Sequence, residues 1–371
     1  SYGGQTKGAY FVDQDPSGSS SGSAVSASLG LSWAALGTET DGSIISPANV
    51  NNLVGIKPTV GLTSRYLVVP ISEHQDTVGP LARTVKDAAY LLAAIAGPDQ
   101  KDNYTSAIPF GDQLPDYVAA CKPDGLRGKR FGVARHMLPP GNNNTAIMRA
   151  FEEAITLMRA QGATIMDNVY VPGFDSIGPA VEFVLGVDLV TGLAKNYFNR
   201  LKTNPFNITN LRQLQDFTHG SPKEDWPGRD TGIWEGALSL QVDNTSPEFW
   251  GYYSQQQYFA GPLGVPGMLK KYSLDAMIMP ADFVNSLPAI AGSPIITVPL
   301  GAHPSGTPLE KNSFGNLYNS APNRPFGLAF LGAPFGEVKL IEAAYAFEQK
   351  TKVREKVSPY VRPQTELRGA V

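Results

Sequence analysis

Between Lys129 and Val171 a short apolar run, KRFGVAR, is followed by apolar residues at Ile147, Phe151, Ala154, Ile155 and Met158, then Gly162, then a second apolar run, ATIMDNVYV. The central spacing puts five apolar side chains on one face of a helix, and the glycine is placed to end it. The flanking runs are too short for helices and read as strands. A strand–helix–strand unit has to lay its helix against a sheet, so this pattern points to an α/β fold rather than a bundle or a sandwich. The pattern recurs. Val85, Ala88, Ala89, Leu92, Ile95 and Ala96 form a helical stripe over Thr84–Ala96, stopped by Gly97-Pro98. LDAMIMP, PIITVPLG and FGLAFLG read as short buried strands, and a helix over Glu337–Thr351 ends the fold proper. No internal repeat or long linker interrupts the chain. The stretch Asn168–Asp275 is less periodic and rich in aromatic residues, Pro and Asn, and is expected to decorate the core rather than build it.

Hydrophobic residues make up 42% of the 371, enough for a substantial core, and the formal charge of −3 carries none of the basic footprint of a nucleic-acid binder. The single cysteine, Cys121, excludes an internal disulfide and a cysteine-based metal site. His74, His136, His219 and His303 lie far apart, without the HExxH spacing of a metallohydrolase, so no metal site is expected. No run of 18 apolar residues is present, and no membrane partner is expected. The chain starts at Ser1 rather than at an initiator Met, and its N-terminal segment is expected to be missing.

The most unusual stretch is DPSGSSSGSAVSAS, Asp15–Ser28. A Ser/Gly run can be a flexible linker, but this one is short and leads straight into SAVSASLGLSWAALG, a small-residue helix and an apolar strand. A phosphate loop would need a following GK[ST] or a GxGxxG, and neither is present. Gly18–Gly22 matches the GxSxG nucleophile elbow, yet an elbow follows a strand, and the preceding DQDPSG is polar and contains proline.

A second loop settles the reading of the first. Ser17-Gly18-Ser19-Ser20-Ser21-Gly22 is followed by GTETDGSIISP (Gly37–Pro47), whose Ser43 stands 24 residues after Ser19, and then by Gly55-Ile56-Lys57-Pro58-Thr59. Further on stand Gln75-Asp76-Thr77-Val78-Gly79-Pro80, SPIITVPLG and FGLAFLGAPFGEVKLIEAAYAFEQKT. Together these resemble the amidase signature family, and TETDGS with VPISEHQDTVGPLAR resembles its peptide-amidase branch. The resemblance covers essentially the whole chain, weakest over Asn168–Asp275. It implies an α/β fold with a large mixed central sheet covered by helices on both faces. It also implies a single domain over 1–371 that lacks its N-terminal segment, with a core at 1–167 and 275–351 and a variable substrate-side insertion at 168–274.

The resemblance also implies a Ser–cis-Ser–Lys triad. Ser43 matches the nucleophile and Ser19 the serine that follows a cis peptide bond, here Gly18–Ser19. Backbone N–H groups of Thr40, Asp41, Gly42 and Ser43 would form the oxyanion hole, with Gly18, Ser20 and Thr38 in support. The triad lysine lies well upstream of the cis-serine in the family, and only 18 residues precede Ser19 here. Lys7 is at the wrong offset, and Lys57 matches the lysine of the KPT stretch, which is not the base. The triad lysine is therefore expected outside this chain. Four departures from the commoner pattern, Ser17, Ser21 and Asp41 for glycine and Ile45 for arginine, are expected to alter substrate preference rather than the chemistry.

The implied activity is hydrolysis of a linear carboxamide, a peptide C-terminal amide among the candidates, to acid and ammonia through an acyl-enzyme, with no cofactor. Two alternatives stay open: a non-catalytic homologue or fragment that binds or scaffolds, and a glutaminase-type subunit of an amidotransferase. The expected partner is a small-molecule or peptide amide, with a homodimer left open. Phe183, Tyr197, Phe198, Trp226, Trp234, Phe249, Trp250, Tyr252 and Tyr253 are candidate walls of an acyl pocket. N-x-[ST] sequons at Asn103, Asn143, Asn207 and Asn244 lean towards a secreted protein, with a cytoplasmic one as the alternative.

Overall fold

The computed structural model describes residues 3–111, 113–140, 145–178, 180–284 and 286–363. In chain order the first elements are α1 (Ser21–Leu29), β1 (Ala34–Glu39), α2 (Ile45–Val50), β2 (Val54–Lys57), β3 (Thr77–Ala82) and α3 (Val85–Ile95). Next come β4 (Arg130–Gly132), α4 (Ala146–Ala160) and β5 (Thr164–Met166). A helical stretch follows: α5 (Ala180–Gly192), α6 (Leu211–Gly220), α7 (Gly232–Ser239), α8 (Pro247–Ala260) and α9 (Val265–Tyr272). The fold closes with β6 (Ala276–Pro280), α10 (Leu287–Ile290), β7 (Ile295–Ala302), the small hairpin β8 (Glu310–Lys311) and β9 (Tyr318–Ser320), β10 (Pro325–Leu331) and α11 (Glu337–Thr351).

Eight strands make one mixed sheet in the order β1-β3-β2-β7-β10-β6-β4-β5, flanked by helices. From β1 to β6 each neighbouring pair is antiparallel, and only β6–β4 and β4–β5 are parallel. The strand–helix–strand unit read from the sequence is thus β4–α4–β5, at one end of the sheet. Its two strands are three residues each, shorter than the apolar runs that announce them; after a turn at Asp167-Asn168 the Val169 N–H still donates to the Val133 carbonyl at 2.9 Å.

The core follows the sequence periodicity. Val85, Ala88, Ala89 and Leu92 of α3, Ile147, Phe151, Ala154, Ile155 and Met158 of α4, and Leu340, Ile341, Ala344 and Phe347 of α11 are buried against β2, β6, β7 and β10, whose apolar residues are almost wholly sequestered. Each Phe, Leu or Ile buried this way stabilises the fold by about 1.5–3 kcal/mol. Thr84 and Thr145 cap α3 and α4, accepting from the N–H groups of Asp87 and Met148. The helical stretch α5–α8 buries two satellite clusters, Leu189, Leu193, Leu211 and Ala237 in one and Val184, Val187 and Phe249 in the other, whereas α9 packs Val265, Met268 and Leu269 into the main core. Among the described residues no helix is long and apolar enough to cross a membrane.

A third cluster concerns function directly. Ala24 and Ala27 of α1, Ile44, Ala48, Leu53 and Leu81 pack together where α1 and α2 meet the β1–β3 edge of the sheet. Small residues let α1 lie close, and this seats the serine-rich loop before α1 beside the loop between β1 and α2.

Candidate active site

The two motif loops meet through Ser20. Its backbone N–H donates to the Ser43 carbonyl at 3.3 Å. Its hydroxyl bridges the Thr38 backbone, accepting from the N–H at 3.1 Å and donating to the carbonyl at 3.2 Å. The bonds at Thr38 are thus made by its main chain. The contact needs Gly37: a Cβ there would stand 2.9 Å from Ser20 Oγ, 3.0 Å from Ile44 Cγ1 and 3.1 Å from Leu81 Cδ1. The Gly18–Ser19 peptide bond is cis. Two serines that depart from the glycine pattern add ties of their own: Ser17 Oγ lies 2.7 Å from Ser46 Oγ in the first turn of α2, and Ser21 Oγ donates to the Ser17 carbonyl. Ser19 is exposed and Ser43 half-buried.

The turn from Thr40 to Ser43 is held from beneath by Glu39. One carboxylate oxygen, Oε2, accepts the N–H groups of Ile44 at 2.7 Å and Ile45 at 2.9 Å. The Gly42 N–H also faces this carboxylate, and its φ of 87° is one that glycine adopts without strain. Thr40 is fixed from the side, its hydroxyl donating to Asp76 Oδ1 at 2.6 Å and its carbonyl accepting from Gln75 Nε2 at 3.2 Å. Desolvation raises the pKa of the Asp41 carboxyl, while Ser286 and the charge of Lys57 act the other way. Ile45, one of the four expected departures from the family pattern, is 1% exposed and belongs to the apolar core. A polar cavity of about 160 Å³ adjoins the turn, lined among others by Asp41, Gly42, Ser46, Asn49, Asp282 and Arg324.

Behind the turn sits a buried ion cluster. Lys57 is fully buried and donates to the Pro58 carbonyl at 3.1 Å. Burial pushes its pKa down to about 8, although the carboxylates of Glu39, Glu337 and Asp41 act to raise it. Burial likewise raises Glu39 and Glu337 above the usual carboxylate range. Glu337 Oε1, at the start of α11, accepts from Thr59 N at 2.7 Å and Thr59 Oγ1 at 2.6 Å. The tie from this strand end to α11 is thus made by Thr59, two residues after Lys57. Lys7 is an exposed lysine paired with Asp13 at 2.5 Å.

The aromatic residues of 168–274 do not form one wall. Tyr197, Phe198 and Trp234 pack on the Leu189–Leu211 cluster, Phe249 is fully buried, Trp226 stacks on His219 with ring centroids 4.3 Å apart, and Trp250 and Tyr252 are exposed. Asn103 and Asn207 are exposed, Asn244 is half-buried with Nδ2 donating to Glu73, and Asn143 lies outside the described residues. One grouping escaped the sequence altogether. Glu73, His74 and Asp188 bring atoms able to hold a metal within 4.8 Å of one another, although here His74 Nδ1 is engaged with Asp188 and Glu73 with Asn244. Asp188 is 114 residues from His74, so no spacing rule could have joined them.

Two serine-bearing loops clasped at one sheet edge over a glycine-containing turn are the arrangement that the motif spacing anticipates, and comparison with known proteins agrees: residues 1–225 match the amidase family model. The chain belongs to the amidase signature family. Over 99% of its length this amidase-family chain is 49% identical to a protein of Arthroderma benhamiae named as an amidase, and it spans 62% of that relative's length. It is 35% identical to the peptide amidase of Stenotrophomonas maltophilia, with a TM-score of 0.83 over 97% of this chain and 70% of that one. It is also 30% identical to a Glu-tRNA(Gln) amidotransferase subunit of Geobacter sp. strain M21, covering 97% of this chain and 72% of the relative.

Proposed function

We propose that the full-length protein is an amidase that hydrolyses a linear carboxamide, a peptide C-terminal amide among the candidates, to the acid and ammonia. The observation that carries this reading is the double hold of Ser20, on the Ser43 carbonyl and on the Thr38 main chain, which keeps the Ser19 loop against the turn that bears Ser43. In the proposed reaction Ser43 Oγ attacks the amide carbonyl carbon and passes its proton to Ser19 Oγ. The Ser19 proton passes on to a base, which the family resemblance assigns to a lysine amine upstream of residue 1. The charge that develops on the carbonyl oxygen accepts from main-chain N–H groups of Thr40, Asp41, Gly42 and Ser43. Loss of one such donor typically costs about 10²–10³ in rate. The C–N bond breaks, the leaving ammonia takes up the proton, and an ester forms on Ser43. Water then attacks that ester along the reverse proton path, releasing the acid.

The polar wall of the adjoining cavity supports a carboxamide head at this turn, since Asn49, Asp282 and Arg324 offer both donors and acceptors. The likeness to a solved peptide amidase supports an amide substrate on a linear chain. The 30% identity to an amidotransferase component favours one second reading, a glutaminase-type subunit, which predicts turnover of free glutamine instead of amidated peptides. The deciding experiment treats the full-length protein with a fluorophosphonate and maps the adduct by peptide mass. Labelling at Ser43, together with loss of amidated-peptide hydrolysis in a folded Ser43→Ala variant, is expected. Unchanged turnover in Ser43→Ala, or labelling at Ser20, overturns the assignment.

A further inference from the structure

We propose that Asp188, on α5, is a positioning residue for Thr40, acting through the loop 71–76. The inference rests on the functional reading above, and extends it to a residue that no motif contains.

Asp188 is 2% exposed. A carboxylate so placed needs partners, and Oδ2 has two: Ser72 Oγ donates at 2.5 Å and His74 Nδ1 lies at 2.8 Å. A carboxylate oxygen accepts, so the tie to His74 is made through an Nδ1–H donor. The imidazole is packed among Tyr253, Phe249, Trp250 and Tyr104, with ring centroids between 4.4 and 6.3 Å away.

Both partners of Asp188 belong to one short loop, and that loop carries the groups that hold Thr40. Asp76 Oδ2 accepts the N–H groups of Ile71 at 2.8 Å and Ser72 at 3.1 Å, while its other oxygen accepts the Thr40 hydroxyl at 2.6 Å. Gln75, next to His74, donates to the Thr40 carbonyl at 3.2 Å. From the opposite side Arg65, paired with Asp102, donates to the Glu73 carbonyl at 2.5 Å. The loop is therefore clamped between Arg65 and Asp188, and its conformation sets where Asp76 and Gln75 stand. Asp188 Oδ1 has no hydrogen-bond partner among the described residues, so the carboxylate is held here at a cost in desolvation. A neutral or apolar residue would avoid that cost and would lose the hold on Ser72 and His74. A helix of the satellite stretch thereby sets the geometry of a donor turn that lies in the first 43 residues.

The test uses the full-length protein with an amidated peptide, with active sites counted by fluorophosphonate so that misfolded molecules drop out. Asp188→Asn is expected to lower kcat per active site about 10- to 100-fold, the scale of a small misplacement at a reacting centre, with KM changed less than about twofold. Ser72→Ala cuts the same path without putting an amide in the buried position, and is expected to lower kcat in the same way if Asp188→Asn does not fold. In a Thr40→Val background, where the hydroxyl bond to Asp76 is already gone, Asp188→Asn is expected to cost less than about twofold more. An unchanged kcat per active site in both single variants, or an equal fold-loss with and without the Thr40 hydroxyl, overturns the proposal while amide hydrolysis by the wild type leaves the functional reading standing. Absence of amide hydrolysis by the wild type overturns that reading, and this one with it.

Discussion

The Ser20 N–H donates to the Ser43 carbonyl across 3.3 Å, while the Ser20 hydroxyl clasps the Thr38 main chain and stands where a Cβ on Gly37 would come within 2.9 Å. The approach of the two loops is therefore set by one hydroxyl and one missing side chain. Gly37→Ala is expected to destabilise the fold by about 1–3 kcal/mol, the usual cost of overpacking, and to cut amide turnover. Ser20→Ala alone loses two hydrogen bonds at about 1 kcal/mol each. The double variant removes the hydroxyl that the new methyl would strike, so its destabilisation is expected to be smaller than the sum of the two singles. Urea unfolding of the four proteins measures this, and strict additivity would count against the geometry.

Glu39 works on the other side of the same turn. Its Oε2 takes the N–H groups of Ile44 and Ile45, the two residues after Ser43, while Oε1 has no partner among the described residues. Glu39→Gln keeps a carbonyl that can accept both N–H groups, and is expected to retain part of the activity. Glu39→Ala leaves the two N–H groups of Ile44 and Ile45 buried without their acceptor, and is expected to cost about 1–3 kcal/mol for each donor and most of the turnover. Equal losses in the two variants would mean that charge, and not the hold on the turn, is what matters there.

Lys57 gives a prediction in pH. Burial lowers its pKa to about 8 from an unfolded value of 10.5. Below pH 8 the lysine is charged in both states, and the folded protein bears the full cost of burying it. Between about 8 and 10.5 the unfolded chain holds a proton that the folded chain has shed, so this group makes stability rise with pH through that window. Lys57→Met should remove the rise, seen as a wild-type-minus-variant unfolding free energy that climbs from pH 8 to 10.5. At pH 7 the same change removes the positive charge that favours the ionised forms of Glu39 and Glu337, and is expected to destabilise the fold. A flat difference across pH 8–10.5 would show that the lysine keeps its proton when folded.

What the sequence made legible follows from how local each signal is. Helix α4 and helix α11 stand where their apolar periodicity puts them, because each buries one stripe in the main core. Strands β6, β7 and β10 are continuous apolar runs because both their faces are covered. Strands β4 and β5 are shorter than their apolar runs suggest: β4 is paired over only two residues with β6, so the run around it outlasts the ladder. The stretch α5–α8 reads as irregular because its helices bury small satellite clusters instead of one long stripe. The two motif loops are legible as a pair, since their spacing is written in the chain. The ties that fix them are not. Thr59 reaches Glu337 over 278 residues and Ser72 reaches Asp188 over 116, and hydrogen bonds between distant positions leave no periodic trace.

The last prediction concerns the base. In the proposed reaction neither Lys57 nor Lys7 takes the Ser19 proton: Lys57 is fully buried with its ammonium on the Pro58 carbonyl, and Lys7 is paired with Asp13 on the surface. A polypeptide of these 371 residues alone, its mass verified, is therefore expected to turn over amidated peptides poorly. The main-chain donors near Ser43 would still give some acceleration over water, so the residual rate need not be zero. The full-length protein is expected to be active, with kcat/KM rising with pH as an upstream lysine loses its proton, and substitution of that lysine by Met should bring the rate down to that of the 371-residue polypeptide. Full activity from the 371 residues by themselves would overturn the upstream assignment, and would point to a base within the chain whose own substitution must then abolish turnover.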